Sequence, residues 1–223
     1  RGMARWSGGA VVVVLGGGVV AFMLATLVVG VVARPDVPLY APTPPRPQEV
    51  GAAVVGPDTV TVDARDPAGW AYFDFSRRSV VPVADRSGLD WDLAFQRFRI
   101  LTNGGATNPA GRGGALDVGA VPFDSVEVVP ADGYVGDVRS GGELRNPVFE
   151  RWYDYSWLTH RLTPRRRTYA VRTADGRYAK MEILGYYCAD GSAGCLAFRY
   201  VYAGDGGRRV GGRSSTAATS RAR

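Results

Sequence analysis

The sequence predicts a single antiparallel all-β domain preceded by one transmembrane α-helix. Three observations support this prediction. Residues 6–33 contain no charged side chain. The segments after residue 57 are short and rich in β-branched and aromatic residues, with Gly, Asp, Asn and Pro between them. No long helical segment separates these strands, as parallel crossovers would require.

The predicted transmembrane helix covers residues 7–33 and follows a short amino-terminal segment, residues 1–6. At about 1.5 Å per residue this run would reach roughly 40 Å, which exceeds the hydrocarbon core of about 30 Å. Arg1 and Arg5 precede it, and the positive-inside rule therefore places the amino terminus in the cytoplasm. A cleaved signal peptide is the alternative, but the apolar run is longer than a signal peptide's hydrophobic region. We expect a retained single-pass anchor.

Small residues recur at a spacing of four within the predicted helix, at Gly17, Ala21 and Ala25. Such a stripe lets a second helix approach closely in lipid, and it predicts packing against another membrane subunit. The alternative is that Gly, Ala and Val are simply the ordinary composition of this segment.

Two segments of low complexity flank the predicted domain. Residues 34–57 are proline-rich and predict an extended linker or a docking arm. Residues 204–223 read as a basic Gly/Arg/Ser tail that supplies most of the net charge of +6. Because the charge excess is confined to a tail, the sequence does not predict a nucleic-acid-binding face.

Residues 58–203 form the predicted β domain. Two residue sets alternate along the segment 70–75, Trp70, Tyr72 and Asp74 against Ala71, Phe73 and Phe75, and a second alternation involves Leu93, Phe95 and Arg97. Such alternation is typical of strands. The only predicted helix in the domain begins at Asn146 and Pro147, a capping residue followed by a first-turn proline, and ends near Trp152.

The two cysteines, Cys188 and Cys195, flank a turn-rich segment between two aromatic runs. This arrangement predicts a β-hairpin closed by a disulfide, because a C-x6-C spacing in a chain with one histidine does not fit a structural zinc site. A disulfide places the domain in an oxidising compartment. Two reduced core cysteines on paired strands are the alternative.

Catalytic patterns are weak in this sequence. His160 is the single imidazole, and no G-x-S-x-G nucleophile turn is present. Asp90 and Asp92 share a strand face, but such residues commonly face solvent or bond to turns. The glycine-rich stretch 102–115 lacks the Gly-Lys-Ser/Thr ending of a phosphate loop. We therefore expect that the protein is not an enzyme.

Several segments, in order, resemble the HmuY family of bacterial envelope haem-binding proteins. They are WAYFDFS, DWDLAFQRFRILTNGG, NPVFERWYDYSWLTHRLTP, RTYAVRTADGRYAKMEILGYY and GCLAFRYVY, which together span residues 70–202. The resemblance implies an all-β envelope domain and, in the best-known member, haem held between two histidines in a cleft formed by loops. This chain departs from that pattern because it has one histidine and a predicted transmembrane anchor. His160 and Met181 are the candidate axial ligands, since His/Met ligation is a known haem arrangement.

Two functional hypotheses follow from the sequence. The first is a non-catalytic, single-pass subunit with a periplasmic β domain that caps a larger bacterial inner-membrane complex, respiratory or photosynthetic. Its partners would be other membrane subunits and the lipid bilayer, without a required cofactor. The alternative is a membrane-tethered haem-binding protein.

Overall fold

The computed structural model describes residues 17–28 and 36–211. Residues 17–28 form a helix, α1, which belongs with Tyr155–Leu162 to one compact unit. Val37–Asp154 and the chain from Thr163 onward form the other unit, called the body below. Apart from α1, the predicted span 7–33 lies outside the described residues. Across residues 17–28 and 36–211, no helix is both long and apolar enough to cross a membrane.

Short β-strands make up most of the regular structure in the described ranges. Their bounds are β1 Leu39–Tyr40, β2 Val54–Asp63, β3 Ala71–Asp74, β4 Ser79–Val81, β5 Leu93–Gln96, β6 Arg99–Thr102, β7 Gly114–Gly119, β8 Val138–Ser140, β9 Glu143–Arg145, β10 Tyr153–Ser156, β11 Arg161–Pro164, β12 Thr168–Arg172, β13 Tyr178–Cys188 and β14 Ala193–Ala203.

Two sheets and two hairpins contain these strands. The larger sheet has the order β2-β14-β13-β12-β7, with β1 added parallel to the end of β13. The smaller sheet has the order β4-β3-β5-β6, and β8–β9 and β10–β11 form separate two-stranded hairpins. The main ladders of both sheets are antiparallel, which confirms the predicted all-β antiparallel class.

Aromatic side chains join the two sheets. Phe73 of the smaller sheet packs edge-on against Phe198 and Tyr200 of β14, with ring centroids 5.3 and 5.5 Å apart. Phe95 of β5 stacks on the same Phe198 ring at 5.6 Å. Because alternate residues of a strand share a face, Phe198 and Tyr200 point together into this core.

The opposite face of the larger sheet is covered as well. Phe123 begins a 3-10 turn, Phe123–Ser125, that lies over β13, and Val201 packs into the same cluster. Lys180 is buried beneath the turn and donates its ammonium protons to the carbonyl oxygens of Phe123 and Val126 at 2.9 and 2.8 Å. Burial lowers the pKa of Lys180. Coverage of both faces explains why β13 and β14 are buried along nearly their whole length.

The predicted linker 34–57 is not a free spacer where the structure describes it. Leu39 pairs with Tyr187, and the backbone N–H of Thr43 donates to the carbonyl oxygen of Thr61 at 2.9 Å. Further along, the N–H of Val50 donates to a carbonyl at the β3–β4 turn, at 3.0 Å. From residue 37 onward the segment is therefore a strap packed on the body, and its end, from Val54, is already part of β2.

The predicted tail 204–223 also begins later than the composition indicates. Val210 is completely buried, and its N–H donates to the carbonyl oxygen of Glu127 at 2.8 Å. Residues 204–211 thus belong to the body, while residues 212–223 lie outside the described ranges.

The predicted helix after Asn146 is shorter than expected. Asn146 does cap a turn, because its side-chain oxygen accepts from the N–H groups of Val148 and Phe149 at 3.1 and 3.3 Å. The turn that follows is a single 3-10 turn, Phe149–Arg151, rather than an α-helix. Tyr153 starts β10 directly afterwards, so there is no room for a longer helix.

Candidate functional site

The hairpin β10–β11 places the single histidine beside a tyrosine. The phenol oxygen of Tyr155 and Nδ1 of His160 are 2.5 Å apart, a short hydrogen bond. His160 lies at the turn end of β11 with a φ of +52°, and both side chains are exposed. If Nδ1–H donates to the phenol oxygen, Nε2 keeps its lone pair for a metal ion.

The turn of this hairpin is stabilised by local bonds. The N–H of Thr159 donates to the hydroxyl oxygen of Ser156 at 3.3 Å. In the body, the guanidinium of Arg165, which follows β11, bonds the carboxylate of Asp154 in β10 at 2.8 Å. These contacts hold the turn while its aromatic side chains remain open to solvent.

Trp157 is the most exposed large apolar side chain of the described residues, at 75% of its surface. Tyr155 in the same hairpin is 55% exposed. An exposed phenol beside the imidazole, with an exposed indole in the same hairpin, offers flat apolar surface together with a metal ligand. This combination suits a planar, apolar ligand that carries a transition metal.

Met181, the second predicted axial ligand, lies in a different environment. It is 0% exposed in β13, directly between Tyr169 and Tyr200 of the neighbouring strands. It therefore fills the core between the two sheets, and its sulfur cannot reach a ligand that stays outside that core. The flanking residues Lys180 and Glu182 are buried as well, so this part of β13 presents no side chain to solvent.

The body also contains a cavity of about 360 Å³ beside β6 and the β8–β9 hairpin. Its lining residues include Phe98, Arg99, Leu144, Arg145 and Tyr153. Arg99 lies 3.7 Å from the carboxylate of Glu143, and Arg145 lies 3.2 Å from that of Glu150. Because each arginine already has an acidic neighbour, the wall is close to neutral and favours an amphipathic ligand over a simple anion.

Asp90 and Asp92, considered above as a catalytic pair, differ in burial, and Asp92 bonds to the backbone. Asp92 is buried and accepts from the N–H groups of Phe75 and Ala174 at 2.9 and 2.8 Å. Burial, with Asp74 nearby, raises the pKa of Asp92 to about 8. Asp90 is only partly buried. Asp92 therefore ties three chain segments together, and no cluster of metal-ligating side chains occurs in residues 17–28 or 36–211.

The glycine-rich stretch 102–115 is a tightly packed crossing. A Cβ at Gly104 would lie 2.1 Å from the carbonyl oxygen of Gly113, and one at Gly105 would lie 2.3 Å from that of Asp137. The side-chain amide of Asn103 donates to the carbonyl oxygen of Trp91 at 2.7 Å. The glycines are required because backbones meet here.

The predicted disulfide and the predicted helix-packing residues remain to be compared with the structure. Cys188 and Cys195 form a disulfide with their Cα atoms 4.8 Å apart, which confirms that prediction. Gly17, Ala21 and Ala25 all lie exposed on α1, and a Cβ at Gly17 would meet nothing within 4 Å. Helix packing through these three residues stays a prediction.

Comparison with known proteins agrees with this architecture. The model of the HmuY protein family matches residues 66–200. The chain belongs to the HmuY family. A similar crystal structure comes from Bacteroides vulgatus and is described as an HmuY-like haem-binding protein. It aligns with a TM-score of 0.53 and 24% identity, and the alignment covers 70% of this HmuY-family chain and 98% of the Bacteroides chain.

A second similar structure is apo PinO from Porphyromonas gingivitis. It aligns with a TM-score of 0.51 and 14% identity, over 66% of this chain and 96% of its own. At these identities the two structures support the HmuY fold alone. No curated protein matches the sequence.

Sequence reasoning named His160 as a candidate but not Tyr155 or Trp157 of the same hairpin. Tyr155 and Trp157 precede the histidine by five and three residues, within the stretch Tyr-Ser-Trp-Leu-Thr-His. Three ring-bearing side chains within six residues of a polar segment could have indicated a site, because aromatic residues are usually buried. The β10–β11 turn was not predicted, and it is this turn that brings Tyr155 and His160 together.

Proposed function

We propose that this chain is a non-catalytic, haem-binding protein of the bacterial cell envelope. Membership of the HmuY family supports the ligand class, and the description of the Bacteroides vulgatus structure as haem-binding agrees with it. The disulfide supports an extracytoplasmic location, because such bonds persist in oxidising compartments.

The hydrogen-bonded pair of Tyr155 and His160 is the observation on which the proposal depends. His160 would bind the haem iron through Nε2, and haem would supply a ferric or ferrous centre able to accept that ligand. Tyr155 is a positioning residue, because its phenol oxygen fixes the ring orientation and the tautomer through Nδ1. Trp157 would contribute an apolar face to the porphyrin plane.

Titration of the full chain with haemin, followed by Soret absorbance, tests this proposal. We expect a saturable Soret shift that is abolished in His160→Ala. Loss of a hydrogen-bond partner of a metal-binding histidine commonly weakens metal affinity 10- to 100-fold. Tyr155→Phe should therefore weaken haemin binding by about 10-fold, whereas Tyr178→Phe on the body is the matched control and should leave it unchanged. An equal shift in the wild type and His160→Ala would refute the proposal.

The subunit hypothesis has less support. Gly17, Ala21 and Ala25 are exposed on α1, which does not indicate a particular complex. We retain the membrane anchor, residues 7–33, as a prediction from the uncharged sequence. Purification in mild detergent tests the subunit hypothesis, since a chain recovered alone would remove it and stoichiometric partners would support it.

A further inference from the structure

We propose that the cavity beside β6 and the β8–β9 hairpin is a separate ligand site, which binds a small apolar carboxylic acid such as a medium-chain fatty acid. The hydrocarbon part would lie against Phe98 and Leu144, and the carboxylate would bond the guanidinium of Arg99. All residues that line this cavity lie in the body. The inference therefore does not depend on haem binding at the Tyr155–His160 pair.

The apolar wall of the cavity is fixed in place and open to a ligand. Phe98 is 43% exposed, although it is a large apolar side chain. Its ring meets that of Tyr153 edge-on, with centroids 5.8 Å apart. The carbonyl oxygen of Phe98 accepts from the indole N–H of Trp152 at 2.8 Å, and Trp152 is itself buried. The wall is thus preformed, and a hydrocarbon that covers Phe98 removes apolar surface from water.

The floor of the cavity is closed by side chains of the core. Ile100, Leu101 and Phe149 line the cavity, and each is at most 3% exposed. The volume of about 360 Å³ lies within the range of small-molecule sites, which is about 300–1,000 Å³. Because the floor is closed, the cavity sets an upper limit on the length of hydrocarbon that it can hold.

Arg99 supplies an oriented cation at this wall. Its guanidinium lies over the ring of Trp70, with Cζ 5.4 Å from the ring centroid. One terminal nitrogen donates to the carbonyl oxygen of Leu144 at 2.9 Å, and the other donates to the side chain of Gln96 at 3.4 Å. A guanidinium has five N–H donors in a rigid plane that matches a carboxylate. Within the part of the chain that the structure describes, these two bonds leave the N–H of Nε and one N–H of each terminal nitrogen for a ligand.

The acidic neighbour of Arg99 is held loosely. The carboxylate of Glu143 lies 3.7 Å from the guanidinium, beyond hydrogen-bond distance, and its side chain is 66% exposed against 32% for Arg99. Exposed ion pairs of this kind contribute little to stability. Glu143 can therefore turn into solvent when a ligand carboxylate takes its place, whereas Arg99 stays stacked on Trp70. The second pair at this wall, Arg145 with Glu150, adds no net charge, so the asymmetry at Arg99 favours an acid over an amine.

Isothermal titration calorimetry of the full chain with butanoate, hexanoate and octanoate tests the proposal. We expect saturable binding of one octanoate per chain. Affinity should rise by up to about fourfold for each added methylene, as expected for burial of hydrocarbon. Octanol and octylamine should bind about tenfold more weakly than octanoate, because hydrogen bonds between a guanidinium and a carboxylate are of the stronger, charge-assisted kind.

Three variants separate recognition of the carboxylate from recognition of the hydrocarbon. Arg99→Met keeps an apolar stem, and it should weaken octanoate binding about tenfold while octanol binding stays unchanged. Arg139→Met is the matched control, because Arg139 is an exposed arginine of β8 that does not line the cavity, and it should leave both affinities unchanged. Glu143→Gln removes the competing carboxylate and should strengthen octanoate binding by up to about fivefold, a gain that a loosened fold would not produce.

Failure of octanoate to bind at millimolar concentration would overturn the proposal, as would equal affinities for octanoate and octanol. Tighter binding of octylamine than of octanoate would also overturn it, because the glutamates would then set the charge preference. Weaker octanoate binding in Glu143→Gln, or an unchanged affinity in Arg99→Met, would contradict the role assigned to Arg99. None of these results bears on haemin binding at His160, which the Soret titration measures separately.

Discussion

Replacement of Asp137 by alanine should destabilise the body strongly. This carboxylate is 3% exposed and accepts from the N–H and the hydroxyl of Thr102, at 3.1 and 2.8 Å. It also accepts from the hydroxyl of Thr107 at 2.6 Å and the side-chain amide of Asn146 at 2.9 Å. One side chain thus joins the end of β6, the glycine-rich stretch and the turn before β10.

The magnitude follows from the donors that alanine would leave unpaired. The N–H of Thr102 and one N–H of Asn146 are fully buried, so each would lose its acceptor without reaching water. An unsatisfied buried donor costs about 1–3 kcal/mol. The hydroxyl of Thr107 can turn toward solvent, because that residue is only partly buried.

Removal of the carboxylate also relieves an unfavourable burial. Burial raises the pKa of Asp137, while the hydrogen bonds from Thr107, Asn146 and Thr102 oppose that rise. The relief offsets part of the cost of the unpaired donors. We therefore expect a net loss of about 3 kcal/mol in the free energy of unfolding, near the lower end of values for a broken buried polar network.

Denaturant unfolding of the full chain, followed by tryptophan fluorescence, would measure this loss. Asp137→Asn keeps the shape and one acceptor oxygen, so it should cost less, about 1–2 kcal/mol. Asp132→Ala is the matched control, because Asp132 is exposed and its replacement should stay within about 0.5 kcal/mol of the wild type. A value for Asp137→Ala as small as that of the control would refute the reasoning.

Three further predictions concern the body. Gly113→Ala should lower the free energy of unfolding by about 2–3 kcal/mol, because its Cβ would lie 2.4 Å from the carbonyl oxygen of Asn103. Gly211→Ala is the control and should change it little, since no neighbour lies nearer than 3.6 Å to the added Cβ. Equal losses in the two variants, measured by denaturant unfolding, would contradict this reasoning. Reductant should lower the melting temperature through loss of a disulfide worth about 2.5 kcal/mol for so short a loop, and an unchanged melt would disprove that contribution. Burial and the nearby Asp74 raise the pKa of Asp92 to about 8, so protonated Asp92 stabilises the body fully below about pH 4 and this stabilisation is lost as the pH rises toward 8. Asp74→Asn should therefore make the free energy of unfolding fall less steeply with pH. An equal slope in the variant and the wild type would contradict the coupling.

The strands could be predicted where one face carries large side chains. In β14 aromatic residues alternate with smaller or polar ones, and the aromatic set, with Phe73 of β3, forms the face that packs between the sheets. The short strands β8 and β9 were missed, because three residues are too few to show a period. Asn146 was correctly identified as a cap, but the length of the turn after it depends on where β10 starts.

The strap and the carboxyl-terminal segment could not be predicted from composition. Proline-rich sequence usually indicates an extended spacer, and extended chain is also the conformation that β1 uses to pair with β13. The residue that accommodates the strap lies far from it in the sequence: a Cβ at Gly185 would lie 2.2 Å from the ring of Tyr40. Likewise Val210 is one apolar residue in a polar tail, and its burial depends on the loop that contains Glu127.

The fold itself limits where an exposed ligand site can form in the body. One face of the larger sheet packs on the aromatic rings of the smaller sheet, and the other is covered by residues around Phe123. A metal ligand on β13, such as Met181, is therefore enclosed whichever face it occupies. Exposed ligand-binding side chains are then expected from loops and hairpins, which can present polar and aromatic groups to solvent. The Tyr155–His160 pair of the β10–β11 hairpin belongs to the other unit and is exposed, whereas a central strand position in the larger sheet is enclosed.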